Sequence, residues 1–140
     1  MRVEWFFDTN IFVYHVDASD PRKNTVAHEL IRESIVRDNA VISYQVVQEW
    51  LNVVTKKASV ALPTIQAQAY AERFLIPIFR VNASASLFRE GLEIKSQYKL
   101  SFYDAMIVAA ALCAGCKRLY SEDLQHGQKM GQLEIVNPFA

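Results

Sequence analysis

Short apolar runs alternate along this chain with longer stretches in which apolar residues recur every three or four positions. Val3 to Phe7 is apolar and aromatic and stops at Asp8-Thr9-Asn10, the pattern of a strand running into a turn. Ile11 to His15 has the length of a single helical turn before a polar break from Asp17 to Asn24. From Thr25 to Arg37, Val26, Leu30, Ile31 and Ile35 fit the helix period. Ala40-Val41-Ile42 reads as a short buried strand, and Ser43 as the cap of a helix reaching Lys56. After a connector from Lys57 to Leu62, Pro63 suits the first turn of a helix ending at Phe74. Ile76 to Val81 is a third strand, weakened by Pro77. Leu87, Phe88, Gly91 and Leu92 predict a helix from Ala85 to Gln97, and another runs from Phe102 to Gly115, closed by Gly115 and the basic pair Lys117-Arg118. Arg118 to Tyr120 and Leu133 to Val136 complete the strands, with a turn at Ser121-Glu122-Asp123.

Short strands alternating with helices of ten or more residues specify an α/β fold: a central, short-stranded parallel sheet with helices on both faces. No internal repeat and no interdomain linker interrupts the pattern, so residues 1–140 are expected to form a single domain. Sheets of this kind bind ligands beyond the carboxyl ends of their strands.

Composition narrows the partners. Fifteen Lys and Arg balance fifteen Asp and Glu, so no basic coat draws in nucleic acid; local charge or bound metal has to supply that attraction. With 51% hydrophobic residues and no net charge, the chain lacks the signature of disorder. The longest apolar run, Phe102 to Cys116, is fifteen residues and contains Asp104, whereas a bilayer span needs roughly 20 apolar residues. No membrane association is therefore expected. Met1 to Trp5 has no export leader, and two cysteines are too few for a disulfide scaffold, so the expected location is cytoplasmic.

Four acids stand where such a sheet would bind a ligand. Asp8 directly follows the first strand, Glu49 lies near the start of the helix after Val41-Ile42, Asp104 sits in the first turn of its helix, and Asp123 lies just past Leu119-Tyr120. Asp104 is the only charge in its apolar stretch, and a carboxylate pressed against a core is costly unless paired, hydrogen-bonded or bound to metal. Each acid also has a plain structural reading. Asp8 is a good helix start, Ser101 with Asp104 resembles a capping box, Asp123 suits a cap of a short C-terminal helix, and Glu49 suits a solvated helix flank. Together, with no basic residue in the same motifs, they repel one another unless a divalent cation lies between them. Oxygen-only ligands point to Mg²⁺ or Mn²⁺, and no histidine pair or thiolate set suggests zinc.

Asp8-Thr9-Asn10 after a strand, Gln48-Glu49-Trp50, Ser101-Phe102-Tyr103-Asp104-Ala105 opening an apolar helix, and Ser121-Glu122-Asp123-Leu124 after a strand resemble, in this order, the PIN domain family. More narrowly they resemble the VapC-type ribonuclease toxins of toxin–antitoxin pairs. The resemblance runs from Val3 to Val136; no single motif is specific, but the ordered set is. It implies a Rossmann-like PIN fold, a Mg²⁺ or Mn²⁺ site, and hydrolysis of RNA to 5′-phosphate and 3′-hydroxyl products. Asp8, Glu49, Asp104 and Asp123 match the acidic quartet as catalytic and metal-holding residues, and Asn10 and Ser121 match its supporting polar positions. Glu122, beside Asp123, is either a decoy or a sharer of that role. The implied partners are an RNA substrate, a cognate antitoxin protein and a second copy of the chain in a homodimer.

Other features weigh less. Lys56, Lys57, Lys95 and Lys99 are candidates to flank the cleft or, more simply, solvated lysines. Cys113 and Cys116 have CxxC spacing at a helix C-terminus, where thiolate is disfavoured, and read as buried small hydrophobes. His15, His28 and His126 are scattered, and Trp5 and Trp50 are core candidates. The apolar faces of the Phe102 helix and of Leu62 to Leu75 exceed the need of one small domain, and suit a dimer or an antitoxin peptide. A phosphatase of the haloacid-dehalogenase type would want an acid at position 10, which is Asn, and a receiver domain would want paired acids at the first strand. An inactive PIN-like RNA- or protein-binding module, or a PIN nuclease of RNA processing, are the remaining alternatives.

Overall fold

The structure is a computed structural model that describes residues 2–56 and 60–140. Strand β1 (Trp5–Phe7) is buried throughout, as a strand covered on both faces must be. Asp8 caps α1 (Thr9–Val16), accepting the Thr9 backbone N–H at 2.7 Å, so two turns of helix form where one was expected. Helix α2 (Pro21–Arg37) starts earlier than its apolar period suggests. Asp20 accepts the Lys23 N–H at 3.1 Å and Pro21 occupies the first helical position, so half of the anticipated polar break is helix.

Strand β2 (Ala40–Ser43) includes the residue expected to cap α3 (Tyr44–Lys56); the Ser43 hydroxyl is buried with no hydrogen-bond partner instead. Helix α4 (Thr64–Tyr70) has Pro63 just before it rather than in its first turn. It passes into a π-helical turn at Ala71–Leu75 and a 3₁₀ turn at Ile76–Ile78, where Pro77 lacks the N–H that a strand ladder needs. The third strand, β3 (Phe79–Val81), is accordingly shorter than expected. Helices α5 (Ala85–Tyr98) and α6 (Phe102–Cys113) follow, the second ending in a Schellman motif: Gly115, at φ 77°, donates to Leu112 O, and Cys116 donates to Ala111 O. Strand β4 (Arg118–Tyr120) precedes a short hairpin of β5 (Lys129–Met130) and β6 (Leu133–Val136).

The sheet order is β3-β2-β1-β4-β6-β5, parallel except for the β5–β6 pair, an edge hairpin that the sequence pattern does not show. From β1 the chain steps outward to β2 and β3, then crosses back to β4 on the other side of β1. Helix α1 packs on α2 and α3, α3 on α4, and α5 on α6, the two groups that right-handed crossovers would place on opposite faces of the sheet. The direction reverses between β1 and β4, so the carboxyl ends of these two strands form the switch point of the sheet.

The core forms around that centre. Phe6, Phe7, Val41, Ile42 and Leu119 fill the strands, Trp50 stacks on Tyr70, and Ala105 to Ala111 of α6 are all buried. The surplus apolar face expected on α6 is thus absorbed inside the chain, leaving Phe102 and Tyr103 at its start exposed. On α4, Ala67 is buried and Ile65 is exposed. Of the CxxC pair only Cys116 is buried; Cys113, on the outer side of the last turn of α6, is exposed. Among the described residues no helix is long and apolar enough to cross a membrane.

Candidate active site

The four acids named from the sequence meet in one crevice of about 140 Å³, lined by Asp8, Thr9, Asn10, Gln45, Glu49, Val53, Asp104, Ile107 and Asp123. At roughly 30 Å³ per water, that space has room for an ion with a few waters. Asp8 comes from the end of β1, Asp123 from the turn after β4, Glu49 from the second turn of α3 and Asp104 from the first turn of α6. The crevice therefore opens at the switch point.

Asp8 is the buried member, 5% exposed, and both of its oxygens are held: Oδ1 by the Thr9 N–H and Oδ2 by the Ser121 hydroxyl at 2.8 Å. Its own N–H donates to Tyr120 O, extending the β1–β4 ladder by one residue and fixing the carboxylate against the strand end. Burial pushes its carboxyl up to about 7. The hydrogen bonds from Ser121 and Thr9 pull the other way but do not offset it, and the charges of Glu49 and Asp123 add to the rise. Burial likewise raises the Asp123 carboxyl, helped by the charges of Asp104 and Glu122 and opposed by a hydrogen bond from Asn10.

The supporting groups orient these acids. Asn10 Nδ2 donates to Asp123 Oδ2 at 3.1 Å. Ser121, wholly buried, accepts the Asp123 N–H at 3.2 Å while donating to Asp8. Both expected supporting positions thus touch acids of the quartet. Asp123 caps no helix; the segment after it is a loop that leads to β5. At α6 the cap and the ligand readings turn out to be compatible. The Asp104 N–H donates to Ser101 Oγ at 3.3 Å, while its carboxylate lines the crevice.

Two residues escaped the sequence reading. Thr9 Oγ1 donates to Glu49 Oε1 at 2.8 Å, and the buried Gln45 donates to Tyr103 O at 3.1 Å, tying the first turn of α3 to the first turn of α6. Gln45 lies four residues before Glu49, hence on the same helix face, a spacing that the sequence does show. Glu122 points elsewhere, to Tyr14 and Lys23, and does not line the crevice. Nor do Lys56, Lys95 or Lys99, and Lys57 lies outside the described residues. His15 and His28, distant in sequence, meet ring to ring at 4.2 Å and do not line the crevice.

Among the described residues no lining residue is basic, so none of them neutralises the four carboxylates. The oxygen-only donor set and the raised Asp8 carboxyl fit a hard divalent cation. Among the described residues no three acids, histidines or cysteines are already set closely enough to clasp one ion.

These features define a class: an α/β domain with an acid-walled crevice at the switch point of a parallel sheet. The family model of the PIN domain matches residues 5–129, and the chain belongs to that family. No curated protein matches it by sequence. Among solved structures it resembles DNA-bound VapBC from Salmonella typhimurium, at 16% identity over 95% of this chain and 96% of that one, with a TM-score of 0.65. It is also similar to VapC20 of Mycobacterium tuberculosis, a toxin that cleaves the sarcin–ricin loop, at 21% identity over 86% and 90% of the two chains and a TM-score of 0.63. A toxin–antitoxin complex from Klebsiella pneumoniae matches at 18% identity over 96% and 98%, with a TM-score of 0.64. At such identities the likeness is one of fold.

Proposed function

We propose that the protein is a Mg²⁺- or Mn²⁺-dependent endoribonuclease acting in the cytoplasm as the toxin of a toxin–antitoxin pair. The observation that carries this reading is the gathering of Asp8, Glu49, Asp104 and Asp123 around one crevice without a basic residue among them. Family membership and the toxins among similar folds support it. The proposed partners are an RNA substrate, a cognate antitoxin and a second copy of the chain.

Asp8 and Asp104 would hold the cation, with Asp8 fixed by Ser121 and Thr9 so that its carboxylate need not reorganise. A bound Mg²⁺ or Mn²⁺ supplies a water of lowered pKa and polarises the scissile phosphate. Glu49, oriented by Thr9, steadies the ion or the attacking water. Asp123, on the more open side of the crevice, would share in holding the ion once a substrate phosphate is bound, in keeping with the few carboxylates that Mg²⁺ takes when phosphate is present. Attack of the water oxygen on phosphorus would form one P–O bond and break the P–O3′ bond, the water's proton passing to solvent and O3′ taking one up, to leave 5′-phosphate and 3′-hydroxyl ends.

RNA cleavage by the purified protein in Mg²⁺ or Mn²⁺, with EDTA and Asp104→Asn as paired controls, tests this. The Asn variant keeps the backbone N–H that Ser101 caps and removes only the charge. Cleavage by the wild type with both controls silent is the expected result. An Asp104→Asn protein that folds and cuts like the wild type would sink the reading, and Mn²⁺ binding without cleavage of any RNA would point to an inactive binding module.

A further inference from the structure

Glu122 lies between two residues that serve the crevice, yet its side chain turns away from it. Its Oε1 accepts the Tyr14 hydroxyl at 2.8 Å and its Oε2 accepts Lys23 Nζ at 2.8 Å, while Lys23 also donates to the Tyr14 oxygen at 3.2 Å. The three groups close a ring of hydrogen bonds joining the turn after β4 to α1 and α2. Every donor and acceptor role is consistent: the ammonium donates twice, the hydroxyl accepts once and donates once, and the carboxylate only accepts.

The ring is sheltered. Lys23 lies 4.9 Å from the Tyr14 ring centre and 5.8 Å from that of Phe139, and the Tyr14 and Phe139 rings meet edge to face. Lys23 and Glu122 are each 24% exposed at the side chain. The other ion pairs among the described residues, Arg2–Glu4 and Arg37–Glu33, are local in sequence and have a more open partner. Asn24 Nδ2 donates to Tyr14 O at 2.8 Å, locking α1 to α2 beneath the ring. Exposed ion pairs contribute little to stability, but a long-range, partly buried and shared one restricts geometry.

We propose that the Tyr14–Lys23–Glu122 ring is a positioning device for Asp123. Ser121 anchors the turn from inside through Asp8, and Glu122 anchors it from outside through Lys23 and Tyr14, so the intervening backbone holds Asp123 at the crevice rim within reach of Asn10. Lys23 has a second effect: by holding the Glu122 carboxylate it turns that group away from the crevice, so that of the two adjacent acids only Asp123 lines it. Glu122 is thus neither an idle neighbour nor a sharer of the role of Asp123. The inference rests on the cation-binding reading of the crevice for its functional consequence, and on hydrogen bonds alone for its structural one.

The test uses the full chain with Glu122→Ala, Glu122→Gln, Lys23→Met and Tyr14→Phe, and two readouts taken without RNA. Hydrogen exchange at the Asp123 amide, which bonds to Ser121, reports the hold on the turn; titration with Mn²⁺ reports its use. Glu122→Ala and Lys23→Met are expected to speed that exchange about tenfold and to weaken Mn²⁺ binding by about the same factor, the range typical of outer-sphere partners. Glu122→Gln, which can still accept from one partner, is expected to lie nearer the wild type, and kcat for RNA to fall more than KM rises. Should Glu122→Ala fail to fold, Lys23→Met and Tyr14→Phe leave the turn's sequence intact and give the same readouts. Variants that exchange and bind Mn²⁺ like the wild type overturn the proposal. So does a lowered Tm with unchanged Mn²⁺ affinity in the folded protein. A wild type that binds no Mn²⁺ overturns the cation reading instead, and the exchange data then judge the clamp on its own.

Discussion

At the scale of single residues, Asp8 shows how one carboxylate serves the fold and strains it. It caps α1, continues the β1–β4 ladder and receives the Ser121 hydroxyl, yet its burial among other acids raises its carboxyl to about 7. A folded-state value above the ordinary 3.8 means that the folded protein holds a proton the unfolded chain has released, so stability falls as pH rises from about 4 to 7. Asp8→Asn keeps the shape and an acceptor for the Thr9 N–H and removes the charge. Without added cation the variant is therefore expected to be more stable than the wild type at about pH 8, by on the order of 1–3 kcal/mol, as thermal unfolding would measure. Its cleavage of RNA should drop by about 100-fold or more, beyond what loss of an outer-sphere partner causes. A variant less stable than the wild type at that pH would show that its charge is already compensated in the free protein.

At the scale of elements, the α5–α6 pair sets where Asp104 stands. Gly91 faces Met106 so closely that a Cβ there would overlap the thioether, and Met106 is fully buried two residues beyond Asp104. Helix propensity alone favours Ala over Gly by about 1 kcal/mol, whereas overpacking a filled core costs about 1–3 kcal/mol, so Gly91→Ala should destabilise by up to about 2 kcal/mol. Combined with Met106→Ala, which is itself destabilising, the effect should be clearly less than additive in a double-mutant cycle; strict additivity would mean that α5 shifts to make room. The helical period around Gly91 was legible in the sequence, but the partner behind it was not. The same divide runs through the fold. Strands and helices with continuous or periodic apolar residues, such as Trp5–Phe7 and Phe102–Cys113, could be read directly. Elements set by backbone bonding or by tertiary neighbours were blurred: the early start of α2 at Pro21, the π turn at Ala71–Leu75 and the edge strand Lys129–Met130. Asp8, Asp104 and Asp123 could be read because each stands at or near an element boundary, where apolar patterning breaks, whereas Glu49, inside α3, stood out only beside the other three. Thr9 read as part of a turn motif and Gln45 as an ordinary helix residue, since their roles depend on contacts across 40 and 58 positions.

At the scale of the whole molecule, two titrating groups at the two ends of α1, the buried Asp8 and the half-buried His15, oppose each other. His15 donates to or accepts from the Tyr70 hydroxyl at 2.7 Å and packs against His28, Tyr70 and Phe74. Burial, with the nearby charges of His28 and Arg73, lowers it to about 4. Below its ordinary 6.5 the unfolded chain takes a proton that the folded one refuses, so stability is lost as pH falls from about 6.5 to 4. Asp8 works in the opposite sense over nearly the same window, and the profile of the cation-free protein should be shallow. A divalent cation in the crevice would favour the charged form of Asp8 and remove its share of the balance. The rise in Tm on adding Mn²⁺ should therefore be small near pH 5, where Asp8 is protonated, and grow towards pH 8. Without added cation, the loss of stability on acidification below pH 6.5 should be weaker in His15→Gln, which stays uncharged throughout. Melting curves of both proteins across this range, with and without Mn²⁺, measure the two effects separately. A Mn²⁺ effect on Tm that ignores pH would place the ion away from Asp8, and an acid slope unchanged by His15→Gln would shift that role to another group.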